Sequence, residues 1–346
     1  MKTEIFQLEV ITPCFCGGAR PGQQAEIRVP SIRGQLRWWF RVLGGFRSLA
    51  HIPVHEQEDR IFGAARNDAG QASKLIIRVS PASGSSLVTT LAKNSEAMNA
   101  QVGTDRGYLL FPLRNNPKAV FDMGALPKFD MHVSCRGDQS LWPGIKALVT
   151  VFGHLGSLGF RSRRAMGALA FRKDMGSVGN ALGFFTGSSQ LLVRSLPASN
   201  ADTAISSLAR WLKNWRSHGR SGRNGAEQAS PGFFYAKNDH DVNIRGNEGT
   251  TYRPAIGLPI IQRYSAGTTN NWEYGSGRPD PKGRFASPVL LRPYRQTDGT
   301  WRALVIFVES RKWPTGKSVY VNNLQRNVSL DLYDAMKNDP RLAAFP

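Results

Sequence analysis

The chain has 346 residues, 41% apolar and 20% charged, which is enough for two globular domains with sizeable cores. Lys and Arg total 45 against 25 Asp and Glu, a net charge of +20 that favours polyanionic partners, chiefly nucleic acid; an anionic membrane surface ranks lower because no long basic amphipathic helix is visible. The N-terminal MKTEIFQLEVITP has acidic residues where a signal peptide needs an apolar run, no stretch approaches ~18 apolar residues, and three cysteines argue for a reducing compartment and against a disulfide framework.

In chain order, residues 4–12 (EIFQLEVIT) alternate and predict a strand. Residues 13–29 hold Gly17, Gly18, Pro21 and Gly22 and predict a loop. In it Cys14 and Cys16 form a CxC pair without a second Cys/His cluster at zinc spacing, so they are expected as two buried thiols, with no metal. Pro30 and Ser31 open a helix that runs to Gly44 and Gly45, with Ser31 as its N-cap. Further strands are predicted at 74–80, 107–113 and 128–137, a helix at 141–159, and a strand at 167–173; residues 81–106 are polar and irregular. The order β-α-β-β-α-β is that of a ferredoxin-like, or RRM-like, module in the α+β class.

The second half is less regular. Residues 203–219 predict an amphipathic helix, 220–253 a long mobile loop, 255–262, 287–294 and 300–310 strands, and 322–338 a closing helix. That succession suggests a second, degraded copy of the same unit, which sets domains at 1–173 and 174–346.

Residues 30–45, PSIRGQLRWWFRVLGG, combine dense positive charge with two adjacent indoles. At 100° per residue, Ile32, Leu36, Trp39, Phe40 and Leu43 form a core stripe. Arg33, Arg37 and Arg41, spaced i, i+4, i+8, stack on the opposite side, with Gly34 and Trp38 beside them. Like charges in a row repel unless anions sit among them. Arginine forks match phosphate oxygens, glycine admits a close backbone, and an exposed indole offers a stacking surface. The alternative is a solvated charged face with Trp38 covering a neighbouring strand. A second basic site is GHLGSLGFRSRRAMGALAF (153–171), where Gly153, Gly156, Gly159 and Gly167 bracket Arg161, Arg163 and Arg164. Its backbone N–H groups suit phosphate, but it lacks the Lys-Ser/Thr of a P-loop and follows a helix, which excludes nucleoside triphosphate binding of that type.

GGA at 17–19, RVPSIRGQLRWWFR at 28–41, IFG at 61–63 and LGSLGFRSRRAMGAL at 155–169 together resemble the RAMP superfamily of CRISPR effector proteins. The tryptophan–arginine run is closest to the first-subunit family of type III-B (Cmr) complexes, and GLPI (257–260) and RFASPVLLRP (284–293) resemble that family's C-terminal half. The resemblance implies two ferredoxin-like domains packed together, with long loop insertions. It also implies a cytoplasmic, non-catalytic subunit without cofactor, partnered by CRISPR guide RNA, target RNA and other RAMP subunits and not by a membrane. Such a subunit sits near the guide RNA 3′ end and helps capture target RNA in antiviral defence. The family's glycine-rich loop carries over to 153–167, but its usual glycine after the two arginines is Ala165 here. The RNA-binding set so expected is Arg33, Gly34, Arg37, Trp38, Arg41, Gly156, Gly159, Arg161, Arg163 and Arg164.

Some RAMP proteins cut RNA, so a RAMP-type endoribonuclease acting on CRISPR RNA is the alternative. Metal-free cleavage needs an acid and a base, often histidine. Of His51, His55, His132, His154, His218 and His240, only His154 lies in the glycine-rich region. Metal-assisted cleavage needs clustered carboxylates; HEQED (55–59) and NDHD (238–241) are the dense candidates, and both are expected in solvated polar loops. A DNA-binding repressor has no support, since neither a helix-turn-helix nor a zinc-finger pattern is present.

Overall fold

The computed structural model describes the chain apart from Pro21 and residues 66–69, 91–103, 114–117, 217–229, 245–248, 259, 264–268, 276–278, 281–282 and 346. By Cα proximity the chain divides into two units, Met1–Leu208 with Leu291–Ile306 and Ala344–Pro346, and Ala209–Leu290 with Phe307–Ala343.

The first unit begins with β1 (Lys2–Val10), α1 (Val29–Val42), α2 (Val54–Phe62), β2 (Leu75–Pro81), β3 (Lys128–Cys135), α3 (Trp142–Leu155) and β4 (Leu169–Phe171). Its sheet has the order β2-β3-β1-β4, each neighbouring pair antiparallel. Alternation places Phe6, Leu8 and Val10 of β1 and Phe129, Met131, Val133 and Cys135 of β3 in the core, all at most 1% exposed. In register, Phe6 lies opposite Met131 and Leu8 opposite Phe129. Helix α1 buries the predicted stripe of Ile32, Leu36, Trp39, Phe40 and Leu43. It starts at Val29, with Pro30 in the first turn and Arg28 as an N-cap lacking a side-chain bond, so Ser31 is not the cap. It stops in a Schellman motif: Gly44 N donates to Arg41 O and Gly45 N to Phe40 O, both glycines at positive φ.

The rest of the chain forms β5 (Leu191–Pro197), α4 (Ala201–Arg216), α5 (Phe233–Ile244), β6 (Ile260–Arg263), β7 (Thr269–Gly275), β8 (Val289–Arg295), β9 (Trp301–Val308), β10 (Ser318–Val321), β11 (Leu324–Val328), α6 (Asp331–Lys337) and a short strand Ala343–Ala344. Strands β8, β9, β5 and Ala343–Ala344 are neighbours in that order. With α4 after β5 and α6 after β9, this repeats both the β-α-β-β-α-β succession and the strand order of the first sheet. The fold is therefore α+β with two ferredoxin-like domains. The second copy opens with β5, LLVRSLP, which the sequence reading missed because the stretch does not alternate cleanly.

Within the second unit, β6, β7, β10 and β11 belong to a separate sheet around Trp272, Trp313, Val319 and Val321. Several expectations fail locally, among them the strand over 255–262, where Arg253–Ile256 forms a 3-10 turn and the strand begins at Ile260. Residues 322–338 are not one helix: β10 and β11 form a hairpin through Asn322 and Asn323, both at positive φ (48° and 70°) as a two-residue primed turn requires, and only Asp331–Lys337 is helical. The segment expected as a strand at 107–113 is helical, because Thr104 caps it by accepting from Gly107 N (3.0 Å). The expected loop 220–253 contains helix α5, while its parts at 220–229 and 245–248 lie outside the described residues. The irregular stretch 81–106 carries a short strand at Val88–Thr90, and its residues 91–103 also lie outside them.

Candidate nucleic-acid interface

The arginine row of α1 faces α2, and the anion it requires is internal. Arg37 Nε donates to Glu58 Oε1 (2.6 Å), while Arg41 donates through Nε to Oε2 (2.5 Å) and through Nη2 to Oε1 (2.7 Å). Glu58 is only 5% exposed. Burial raises its pKa, but the hydrogen bonds from Arg41 and Arg37 outweigh that and hold it below the usual carboxylate value. Arg33 Nη2 donates to the carbonyl of Phe62, the last residue of α2, where the helix leaves acceptors unpaired. HEQED is thus not a solvated loop. It lies in α2, with Gln57 and Glu58 buried. The row is not a freely solvated face either: Arg33 and Arg37 are half-buried, and only Arg41 stays exposed. Gly34 is exposed, with open space where a Cβ would stand.

The glycine-rich loop is stitched down by its own backbone. Leu158 N donates to Gly167 O, Phe160 N to Phe15 O, Arg164 N to Arg161 O, Ala165 N to Leu291 O and Gly167 N to Pro13 O. Those five amides therefore do not form the phosphate cradle expected from sequence. Gly159 (φ +82°) and Gly167 (φ +65°) occupy the left-handed region, and a Cβ at either would meet a backbone oxygen at 2.7 Å or 2.0 Å. At Gly156 a Cβ would lie 2.3 Å from Phe152 O, so close packing explains that glycine too. Ala165 sits at φ +69°, which explains why a glycine suits the position where the sequence departs from the RAMP pattern. Arg164 is buried, at 8% exposure, whereas Arg161 and Arg163 are half-buried.

Beneath the loop lies a residue the sequence reading did not assign. Arg292, 1% exposed, donates to the carbonyls of Gly156 (3.0 Å), Gly153 (3.1 Å), Leu169 (2.5 Å) and Pro293 (3.2 Å). Burial works against its charge and lowers its pKa to about 9, while the carbonyls of Gly153, Gly156 and Leu169 give its buried N–H groups partners. Its signal was a lone arginine inside the apolar run SPVLLRPY. Cys14 and Cys16 are buried as expected, their Sγ atoms 3.0 Å apart; the contact with Cys16 and burial push the Cys14 thiol well up.

The two sequence-distant sites meet at Trp38. The Arg163 guanidinium lies 5.4 Å from the Trp38 ring centroid, and Trp38 packs edge-on against Trp39 at 5.0 Å. Trp38 is half-buried, its surplus indole taken up by this cation–π contact. Phe160, in the same loop, is 45% exposed.

His154 is held on both sides. Its Nε2 donates to the Gly176 carbonyl (2.9 Å), Nδ1 accepts from the Tyr294 hydroxyl (3.1 Å), and the ring stacks edge-on against Phe171 at 5.0 Å. Burial holds its pKa below the usual imidazole value. NDHD lies in α5, where the buried Asp239 pairs with Arg253 (2.8 Å). Among the described residues no three His, Cys, Asp or Glu side chains gather as a metal site. His218 lies outside them.

Residues 7–170 match the family model of the RAMP superfamily. Two proteins of Pyrococcus furiosus are similar in sequence. The CRISPR system Cmr subunit Cmr1-2 is 30% identical over 192 residues, covering 49% of this chain and 95% of that protein. Cmr1-1 is 30% identical over 200 residues, covering 54% of this chain and 52% of the other. The apo crystal structure of Cmr1 from the same organism shares the fold, with a TM-score of 0.54 at 17% identity over 91% of this chain and 90% of that one. Identity of this level along nearly the whole of one relative exceeds what a shared fold demands, and the chain accordingly belongs to the RAMP superfamily, in its Cmr1 family.

Proposed function

We propose that this chain is a non-catalytic, RNA-binding subunit of a type III-B CRISPR effector complex. It works in the cytoplasm with other RAMP subunits, near the 3′ end of the guide RNA, and helps capture target RNA. The observation that carries the reading is the meeting of α1 and the glycine-rich loop at Trp38 and Arg163, which gathers aromatic and cationic groups from two remote segments in a chain of net charge +20. The contacts it favours are Arg41, Trp38, Arg161 and Arg163. Arg33, Arg37 and Arg164 serve first as internal fasteners, with Gly34 leaving room for a backbone beside the row and Gly156 and Gly159 shaping the loop. The domain boundary near residue 173 belongs to the same reading, the loop closing the first domain.

The endoribonuclease alternative requires an accessible acid or base. His154 is bonded through both ring nitrogens, which supports a structural role for it. The deciding experiment incubates the purified protein with labelled single-stranded RNA, with and without divalent metal, and records binding, cleavage and co-purifying RNA and subunits. Binding without cleavage is the expected result. Cleavage lost in His154→Ala would move the chain to the ribonucleases.

A further inference from the structure

Of the strongly exposed phenylalanines among the described residues, Phe160 is the one that lies in the glycine-rich loop. Phe160 is 45% exposed, although burying so large an apolar side chain is favourable. The backbone around it is held in place: Phe160 N donates to Phe15 O (2.9 Å), and Gly159 before it turns through φ +82° where a Cβ would strike Phe15 O. Arg161 after it sits at φ +63°, a left-handed conformation that is unfavourable for a residue other than glycine. The turn thus spends backbone energy while leaving an aromatic ring in water, and it places Arg161 and Arg163 within three residues of that ring. A partner that covers this turn meets two arginines as well as the ring, which disfavours a wholly apolar one. A polyanion with flat, unpaired bases satisfies ring and charges together.

We propose that Phe160 is a stacking platform for one unpaired base of single-stranded RNA, with Arg161 and Arg163 meeting the flanking phosphates. This rests on the RNA-binding reading above and adds a residue and a ligand chemistry to it.

The test uses the full chain and two fluorescently labelled probes of equal length, an unstructured RNA and the same ribose-phosphate strand without bases. Phe160→Leu keeps apolar bulk and loses the π-face; Phe160→Tyr keeps the ring. On the base-bearing strand Phe160→Leu should bind roughly 5- to 150-fold more weakly, the equivalent of one lost stack, with an unchanged salt slope. Phe160→Tyr should match the parent, and all three proteins should bind the abasic strand alike. Equal affinity of parent and Phe160→Leu for the base-bearing strand overturns the proposal while the RNA-binding reading stands. So does an equal loss on both strands, which would mean that the ring only supports the loop. Unchanged RNA affinity with loss of co-purifying subunits would assign the ring to a protein interface. A parent protein that binds neither strand removes the RNA-binding reading itself.

Discussion

The arginine row of α1 and the glycine-rich loop look alike in sequence, each dense in arginine and placed beside aromatic residues, yet the fold satisfies them differently. The row is answered by a carboxylate: Glu58, delivered by α2, takes Arg37 and Arg41 together. The loop is answered by main-chain carbonyls, with Arg292 pinning its stem and five of its amides bonded inside the protein. The reason is common to both. A charge taken out of water needs partners, and a helix face packed on another helix is out of water along much of its length. What the two regions leave exposed is narrower than their sequences suggested: Arg41 at one end of the row and Phe160 in the loop, with Arg161 and Arg163 half-buried.

The most severe way to break the comparison is to remove the peg under the loop. Arg292→Met leaves carbonyls of Gly153, Gly156 and Leu169 without their donor in a buried place, and we expect a loss of about 3–5 kcal/mol, read as a fall in the denaturant midpoint. Arg292→Lys, which keeps the charge but not the fork, should fall between the two. A midpoint equal to the parent's would mean that the loop stands without it.

Glu58→Gln separates the two roles of the row. The guanidiniums are a third to a half exposed, so the loss in stability should be smaller, about 1–3 kcal/mol. The folded-state pKa of Glu58 is depressed, so its contribution is fully present above about pH 4.3, the unfolded value, and is lost as pH falls through the lower folded value. The difference between parent and variant should therefore shrink in acid. RNA titration sharpens the point. If the row also binds phosphate, removing the competing carboxylate raises affinity and steepens the salt slope. If the row is only a fastener of α2, affinity stays put.

How much of this was legible can be argued residue by residue. The buried stripe of α1 followed from helical spacing, and Phe6, Leu8, Phe129 and Met131 followed from alternation, because both patterns report a single local geometry. Glu58 was misread because five polar letters, HEQED, hide the helix that Val54, Ile61 and Phe62 continue. Arg33, Arg37 and Arg41 were rightly placed on one face, but which element covers a face is a tertiary fact that spacing does not carry. Phe160 and β5 were missed for opposite reasons: an exposed ring breaks no pattern, and a strand without clean alternation forms none. The Asn322-Asn323 hairpin was legible as a primed turn and was overridden by the helical composition around it.

Arg163→Ala acts at the seam between the two regions. A cation–π contact at a partly exposed site is worth about 0.5–1 kcal/mol, so the thermal midpoint should move little. If Arg163 meets a phosphate, the slope of log affinity against log salt should flatten by about 0.7 for any unstructured RNA. A variant with an unaltered slope and reduced subunit co-purification would assign Arg163 to protein docking.

The smallest effect we expect belongs to His154, which joins the end of α3 to Gly176 and Tyr294. Burial depresses its pKa, so the unfolded chain binds this proton more readily than the folded one. By linkage, its share of stability is intact above about pH 6.5, the unfolded value, and drains away as pH falls toward the folded value. His154→Gln retains a donor for the Gly176 carbonyl but does not titrate. Thermal midpoints measured from pH 8 to pH 5 should decline more steeply for the parent than for the variant, and both proteins should leave labelled RNA intact. Parallel declines would place the proton uptake on another histidine. Cleavage by the parent alone would mean that the geometry holding His154 against Tyr294 opens in solution, and that the ring is an acid or base after all.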